Sequence, residues 1–196
     1  MIAAIQAFLY NIALSFDLPI LDWIQANLQS SFLDKVMPII TMLGDEGIFW
    51  IAWAVLLLLF PRTRKIGLGM GFAMIIGLLV CNVTLKPLIA RTRPYDLKEE
   101  MGILIHLLTE RMHDFSFPSG HTIASFEAAT VLLKNSKKMG IPAMILAVLI
   151  AFSRLYLYVH YPTDVLFSVF AGIAFGFLGN WLAQKLPSRK KGKYER

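Results

Sequence analysis

His160 and Asp164 stand about one helical turn apart in the stretch SRLYLYVHYPTD, Ser153 to Asp164. A carboxylate at that spacing orients an imidazole and makes it more basic, which suits nucleophilic attack on phosphorus. Arg154 precedes His160 by six residues, and Pro162 is placed to open the helix that carries Asp164. A second stretch, KPLIARTRP, holds Lys86 and Arg93 seven residues apart, which on a continuous helix puts them on about the same face. In a third, PSGH, Pro118 suits a first helical turn, Ser119 offers a hydroxyl, and Gly120 lets backbone approach a ligand closely. Unbonded amides at that helix start, aided by the helix dipole, make an anion site. His121 is then placed to protonate a leaving alkoxide as general acid.

Lys86, Arg93 and Arg154 all fall in or beside apolar segments, where cations are costly unless an anion neutralises them. Phosphate fits best, because Arg can hold two oxygens at once while Lys acts as a point charge. Two other readings use the same residues. The cations alone could be interfacial anchors that snorkel toward headgroups, and His121, His160 and Asp164 could ligate zinc. Against zinc stand the surrounding cations, which would repel it, and the lack of an HExxH motif. No metal or other cofactor is expected.

The elements that must position these groups are apolar. The 196 residues are 57% hydrophobic, and the mean hydropathy is +0.61, too apolar for a soluble domain of this length. Long apolar stretches recur at Gly47 to Phe60, Ile66 to Cys81, Ile141 to Phe152 and Val165 to Leu182, with another after Pro118. With their flanks each can anchor a membrane span of roughly 20 residues. The expected fold is an all-α polytopic membrane bundle. It has about five transmembrane helices, near 44–60, 66–90, 117–134, 141–159 and 163–184. Residues 1–43 are polar-interrupted and are expected to form N-terminal interfacial helices, with a sixth span as the alternative. No small-residue cleavage pattern follows the first apolar stretch, so no removable signal peptide is expected. One domain over 1–196 is the economical division: 1–43 at the interface, 44–184 as transmembrane core, and 185–196 as a basic cytoplasmic tail. The one cysteine, Cys81, sits in an apolar run and is read as packing.

The net charge of +6 is concentrated in PRTRK (Pro61 to Lys65), KNSKK (Lys134 to Lys138) and the tail from Lys185. These clusters share one side of the expected topology, which the positive-inside rule assigns to the cytoplasm. That pattern reads as a topology signal, and nucleic acid is not an expected partner. The three polar stretches then share the opposite, extracytoplasmic face. His106 and His113, in the loop between them, are read as solvated or rim groups.

KPLIARTRP, PSGH and SRLYLYVHYPTD resemble, in order and spacing, the three signature motifs of the type 2 phosphatidic acid phosphatase family of membrane lipid phosphatases. The resemblance implies a metal-independent phosphatase site near the outer membrane surface. It further implies His160 as the nucleophile that becomes a phosphohistidine and Asp164 as its orienter. His121 would be the acid for the leaving group and later the base for water. Lys86, Arg93 and Arg154 would bind phosphoryl oxygens, with Ser119 and the Gly120 amide assisting. A phosphoryl-transfer transition state spreads negative charge over its oxygens, so these donors would carry most of the catalysis.

The implied substrate is a lipid phosphate in a bacterial plasma membrane: undecaprenyl diphosphate, phosphatidylglycerol phosphate or phosphatidic acid. The motif residues grip phosphate and ignore the tail. The other functional class is a non-enzymatic transporter or binding protein for anionic lipids, which would need the cations but no oriented nucleophile. Glu127, about 9 Å below His121 at 1.5 Å per residue, is expected to be neutral through desolvation, paired with a cation such as Arg154 or Lys86, or a plain helix-to-helix contact.

Overall fold

The computed structural model describes residues 2–187, and side chains from Ala4. The tail beyond residue 187, including most of the expected basic segment, lies outside the described residues. Helices dominate. A nearly continuous rod comprises α1 (Ile2–Ile12), a wide-turn segment Ala13–Asp17 and α2 (Leu18–Leu28). There follow α3 (Ser31–Met42), a short turn at Asp45–Gly47, α4 (Ile48–Leu59), α5 (Arg64–Gly77) with its wide-turn continuation Leu78–Leu85, α6 (Lys86–Ile89) and α7 (Pro94–Glu100). After an irregular loop come α8 (Gly120–Asn135), α9 (Lys137–Tyr156) and α10 (Pro162–Lys185).

Among the described residues, four helical stretches are long and apolar enough to cross a membrane: Ala4–Leu28, Arg64–Glu100, Lys137–Tyr156 and Pro162–Lys185. The bent pair Ser31–Met42 and Asp45–Leu59 makes a fifth if taken as one span. The N-terminal stretch, read from sequence as interfacial, thus forms a rod of spanning length, as the six-span alternative allows.

α8 is the axis of the bundle. It packs against α9, α10 and α5, while α10 also packs against α5 and α4 against α5. Its residues Thr122, Ile123 and Ser125 through Leu132 are buried, so its apolar character serves the core and not the lipid. Trp50, Met70, Val131 and Ile150 fill the centre. A second core, with Leu21, Tyr95, Tyr156 and Tyr161, joins the N-terminal rod to the C-terminal end of α9. Small residues permit this packing: a Cβ added at Gly179 would lie 2.5 Å from the Gly69 carbonyl oxygen. Close backbone approach at glycine is the usual route to tight helix packing in lipid, where the hydrophobic effect between helices is weak. Val55, Ile75, Ile145, Val148, Phe170 and Phe177 remain exposed, forming the apolar exterior such a bundle needs.

The two ends differ in chemistry. At one, the Lys65 ammonium lies 3.4 Å from the Gln184 carbonyl, and Asn135 donates to Asn180 Oδ1 at 2.7 Å. The basic residues between α4 and α5, between α8 and α9 and at the end of α10 therefore share this end. All the sequence-derived site residues lie toward the other.

Candidate active site

Three chain breaks build the site. The helix carrying Lys86 stops at Ile89, because Ala90 adopts a left-handed conformation with φ 49°. Arg93 is extended (φ −76°, ψ 155°), as a residue before proline should be, and Pro94 then starts α7. Lys86 and Arg93 are consequently not on one helical face, contrary to the spacing argument. They meet instead through Asp114, whose carboxylate bonds Lys86 Nζ with one oxygen and Arg93 Nη2 with the other.

The second break follows α9. The Val159 and His160 amides turn back onto the Arg154 carbonyl at 3.2 and 3.4 Å, and Pro162 opens α10. His160 is 1% exposed. Its Nε2 lies 3.4 Å from Arg93 Nη1, and its Nδ1 lies 3.7 Å from Asp164 Oδ2. A guanidinium can only donate, so these neighbours favour the tautomer with the proton on Nδ1 and a lone pair on Nε2. Burial first, and then the charges of Arg93, Arg154 and Lys86, hold the His160 imidazole well below its ordinary pKa, so it is neutral.

The third break places His121 in the first turn of α8, where its Nε2 contacts Asp45 Oδ1 at 2.6 Å. A cavity of about 660 Å³ brings Lys86, Arg93, Gly120, His121 and His160 together. From there it continues between α4 and α5 past Ala54, Val55, Met74 and Ile75, with Glu127 in its wall. One mouth therefore holds charged groups, the Lys86 and Arg93 cations with Asp114 between them, and the groove leading from it is apolar.

Arg154, Ser119 and Asp164 stand behind this surface. Arg154 is fully buried, donating to Thr41 Oγ1 at 2.5 Å and to Met112 Sδ at 3.1 Å, while its Nε has no partner. No carboxylate lies within ion-pair distance of it among the described residues. Ser119 is also buried: its hydroxyl pairs with Thr122 at 2.9 Å and its amide donates to Ser168 Oγ. Asp164 holds the Ser116 hydroxyl at 2.5 Å, the Tyr161 amide at 3.2 Å and the Arg91 guanidinium. Glu127 has no cation partner among the described residues. Its Oε1 is buried without a hydrogen bond, so the pairing considered from sequence is not formed. His106 and His113 are exposed, as read.

Four acidic or basic residues at the site were not singled out from sequence. Asp45 and Asp114 face His121 and the cations, and Asp17 with Arg91 backs Asp164. The available signal for Asp17 was its isolation in an apolar helix, since an intramembrane charge implies a partner. Chemically, the arrangement can hold a phosphoryl group between Lys86 and Arg93, with an imidazole lone pair on one side and a second imidazole at the cavity wall. Among the described residues no three His, Cys, Asp or Glu side chains form a metal-binding group.

Known proteins resemble this chain in sequence and in fold. The model of the PAP2 superfamily matches residues 66–188. The chain is 36% identical to the Undecaprenyl-diphosphatase of Sulfolobus acidocaldarius over 156 residues, 79% of this chain and 69% of that one. It is 32% identical to Undecaprenyl-diphosphatase BcrC of Bacillus subtilis, covering 76% and 74%. The crystal structure of a transmembrane PAP2-type phosphatidylglycerolphosphate phosphatase from Bacillus subtilis superimposes with a TM-score of 0.73 at 27% identity, covering 97% of this chain and 95% of that one. Motif order, fold and family match agree, and the chain belongs to the PAP2 superfamily.

Proposed function

We propose that this protein removes the terminal phosphate from a membrane lipid phosphate, with a polyprenyl diphosphate of the undecaprenyl type as leading substrate, through a phosphohistidine. The observation that carries this reading is the single cavity in which the neutral His160 and the Lys86 and Arg93 cations open onto an apolar groove. A phosphate head and a long alkyl tail match its two halves.

In the first step the His160 Nε2 lone pair bonds to phosphorus as the bond from phosphorus to the leaving oxygen breaks. His121 gives that oxygen a proton. Lys86 and Arg93 take the charge on the equatorial oxygens, assisted by the Gly120 amide, while the buried Arg154 adds its field from behind. The imidazole becomes cationic, and Asp164 faces the Nδ1 proton and stabilises it. Water then attacks the phosphohistidine with His121 as base, releasing phosphate and restoring His160. Every group in this cycle is a side chain or backbone amide, and no step calls for a metal.

The site faces the extracytoplasmic side in this reading, since the basic loops at the other end follow the positive-inside rule. The polyprenyl choice rests on the names of the two relatives above. A glycerolipid phosphomonoester is the second reading, favoured by the solved phosphatidylglycerolphosphate phosphatase. The test is phosphate release by purified protein in detergent with chelator, from undecaprenyl diphosphate, phosphatidylglycerol phosphate and phosphatidic acid, comparing wild type with His160→Ala. Release that survives chelation and vanishes in the variant is expected. Release by His160→Ala at the wild-type rate would sink the mechanism.

A further inference from the structure

Asp17 lies far outside the residues matched by the family model, in the middle of the N-terminal rod, yet it is fully buried. Its Oδ1 accepts the Thr163 amide at 2.9 Å, and its Oδ2 accepts the Thr163 hydroxyl at 2.8 Å and Arg91 Nη2 at 2.7 Å. Arg91 reaches the other way as well. Its Nη1 donates to Asp164 Oδ1 and, at 2.8 Å, to Thr163 Oγ1, and its guanidinium stacks on the Tyr161 ring at 3.9 Å. One buried guanidinium is thus shared by two fully buried carboxylates, and the second of these faces His160.

This sharing has an electrostatic result. Arg91 with Asp164 alone would be a closed, neutral pair, and its field at His160 would be weak. Adding Asp17 sets two carboxylates against one guanidinium inside a poorly screened interior, so Arg91 is no longer Asp164's alone. It also draws the guanidinium toward the rod and fixes Thr163, the residue before Asp164. Resting on the assignment of His160 as nucleophile, we propose that Asp17 is a positioning residue for hydrolysis. Through Arg91 and Thr163 it sets the place of Asp164 and keeps that carboxylate's charge available to the His160 ring as it becomes cationic.

A residue that only docks the rod would make the same hydrogen bonds, so the test must separate rate from folding. Purified full-length wild type, Asp17→Asn, Asp17→Glu, Leu21→Ala and His160→Ala are mixed with undecaprenyl diphosphate radiolabelled on its terminal phosphate. The amplitude and rate of phosphoenzyme formation are followed, alongside thermal unfolding. Corrected for the breakdown rate measured by chase in each protein, amplitude counts competent sites, and rate reports chemistry at each. Asp17→Asn is expected to keep its amplitude and lose roughly 10- to 100-fold in rate, the range that removing a carboxylate behind a functional histidine costs at metal centres. Asp17→Glu should recover part of that rate. Leu21→Ala removes a fully buried rod contact in the core around Tyr156, and Leu21 is no partner in the Asp17 side-chain hydrogen bonds. It should lower the unfolding temperature and leave the rate alone.

Wild-type rate in Asp17→Asn would overturn the proposal, as would a loss of activity confined to amplitude, which means docking only. Phosphoenzyme in His160→Ala would instead overturn the nucleophile assignment itself, whatever Asp17→Asn does.

Discussion

Replacing Asp114 by Asn removes the carboxylate that bridges Lys86 and Arg93, the two cations that line the cavity. Any phosphate entering there must first displace it. Asp114 is about half exposed, with 53% of its side chain accessible, so each ion pair is screened and is worth about 0.2–1 kcal/mol. Losing the competitor at two cations should therefore favour an incoming phosphate by about 0.5–2 kcal/mol, or about 2- to 30-fold in affinity at 1.4 kcal/mol per factor of ten. The assay is inhibition of lipid turnover by inorganic phosphate and by orthovanadate, measured for wild type and Asp114→Asn at several salt concentrations. Tighter inhibition by both anions is expected, with the gap closing as salt rises. Unchanged or weaker inhibition would refute the reasoning and make Asp114 a brace that orients the cations. Acidity offers an independent handle. Burial alone would raise the Asp114 pKa, but Lys86 and Arg93 together outweigh it and leave it well below the usual carboxylate range. The competing ionised form therefore persists throughout neutral and mildly acidic pH. The stability these pairs confer is complete above the unfolded value near 4 and is lost only as pH falls through the lower folded value.

Because His160 must be neutral to attack and its pKa is depressed, the acid limb of kcat/KM should fall below the ordinary histidine value of about 6.5; a limb at or above that value in a pH profile would contradict the burial argument. His121→Ala should slow phosphoenzyme formation from phosphatidic acid far more than from undecaprenyl diphosphate. The first leaving group is a basic alkoxide and the second a phosphate monoester that needs little protonation, so equal losses on both lipids would remove His121 as the acid. Gly77→Ala places a Cβ 2.0 Å from Glu127 Oε1 and should destabilise by roughly 1–3 kcal/mol as overpacking does. Thermal unfolding in detergent should show the loss, and a second change, Glu127→Ala, should restore much of it. Glu127→Gln alone is expected to keep turnover near wild type, since Glu127 pairs with no cation among the described residues.

Local patterns made the helices and the motif residues legible. Apolar runs marked α4, α5, α9 and α10, and proline and glycine marked where α8 and α10 begin, because each signal is written within a few residues. The Lys86 and Arg93 geometry was misjudged for a reason also local: Ala90 breaks the helix between them with no glycine to announce it. What joins the site together is long-range and has no local trace. His121 meets Asp45 across 76 positions, Lys86 meets Asp114 across 28, and Asp17 meets Thr163 across 146. Asp17 stands out in its apolar stretch without naming its partner, and Asp45 or Asp114, read alone, resembles an ordinary loop charge. Only burial and the direction of approach turn it into a partner.

The sharing of Arg91 between Asp17 and Asp164 also imposes an order on biosynthesis. Asp17 leaves the ribosome 74 residues ahead of Arg91 and 146 ahead of Thr163. At about 5–20 residues per second, it waits roughly 4–15 s for its first partner and about twice as long for the second. During that interval a carboxylate sits in an apolar rod with nothing to neutralise it, so the rod must linger near water or beside the translocation machinery. The rod then takes its place only after Thr163 and the start of α10 have emerged.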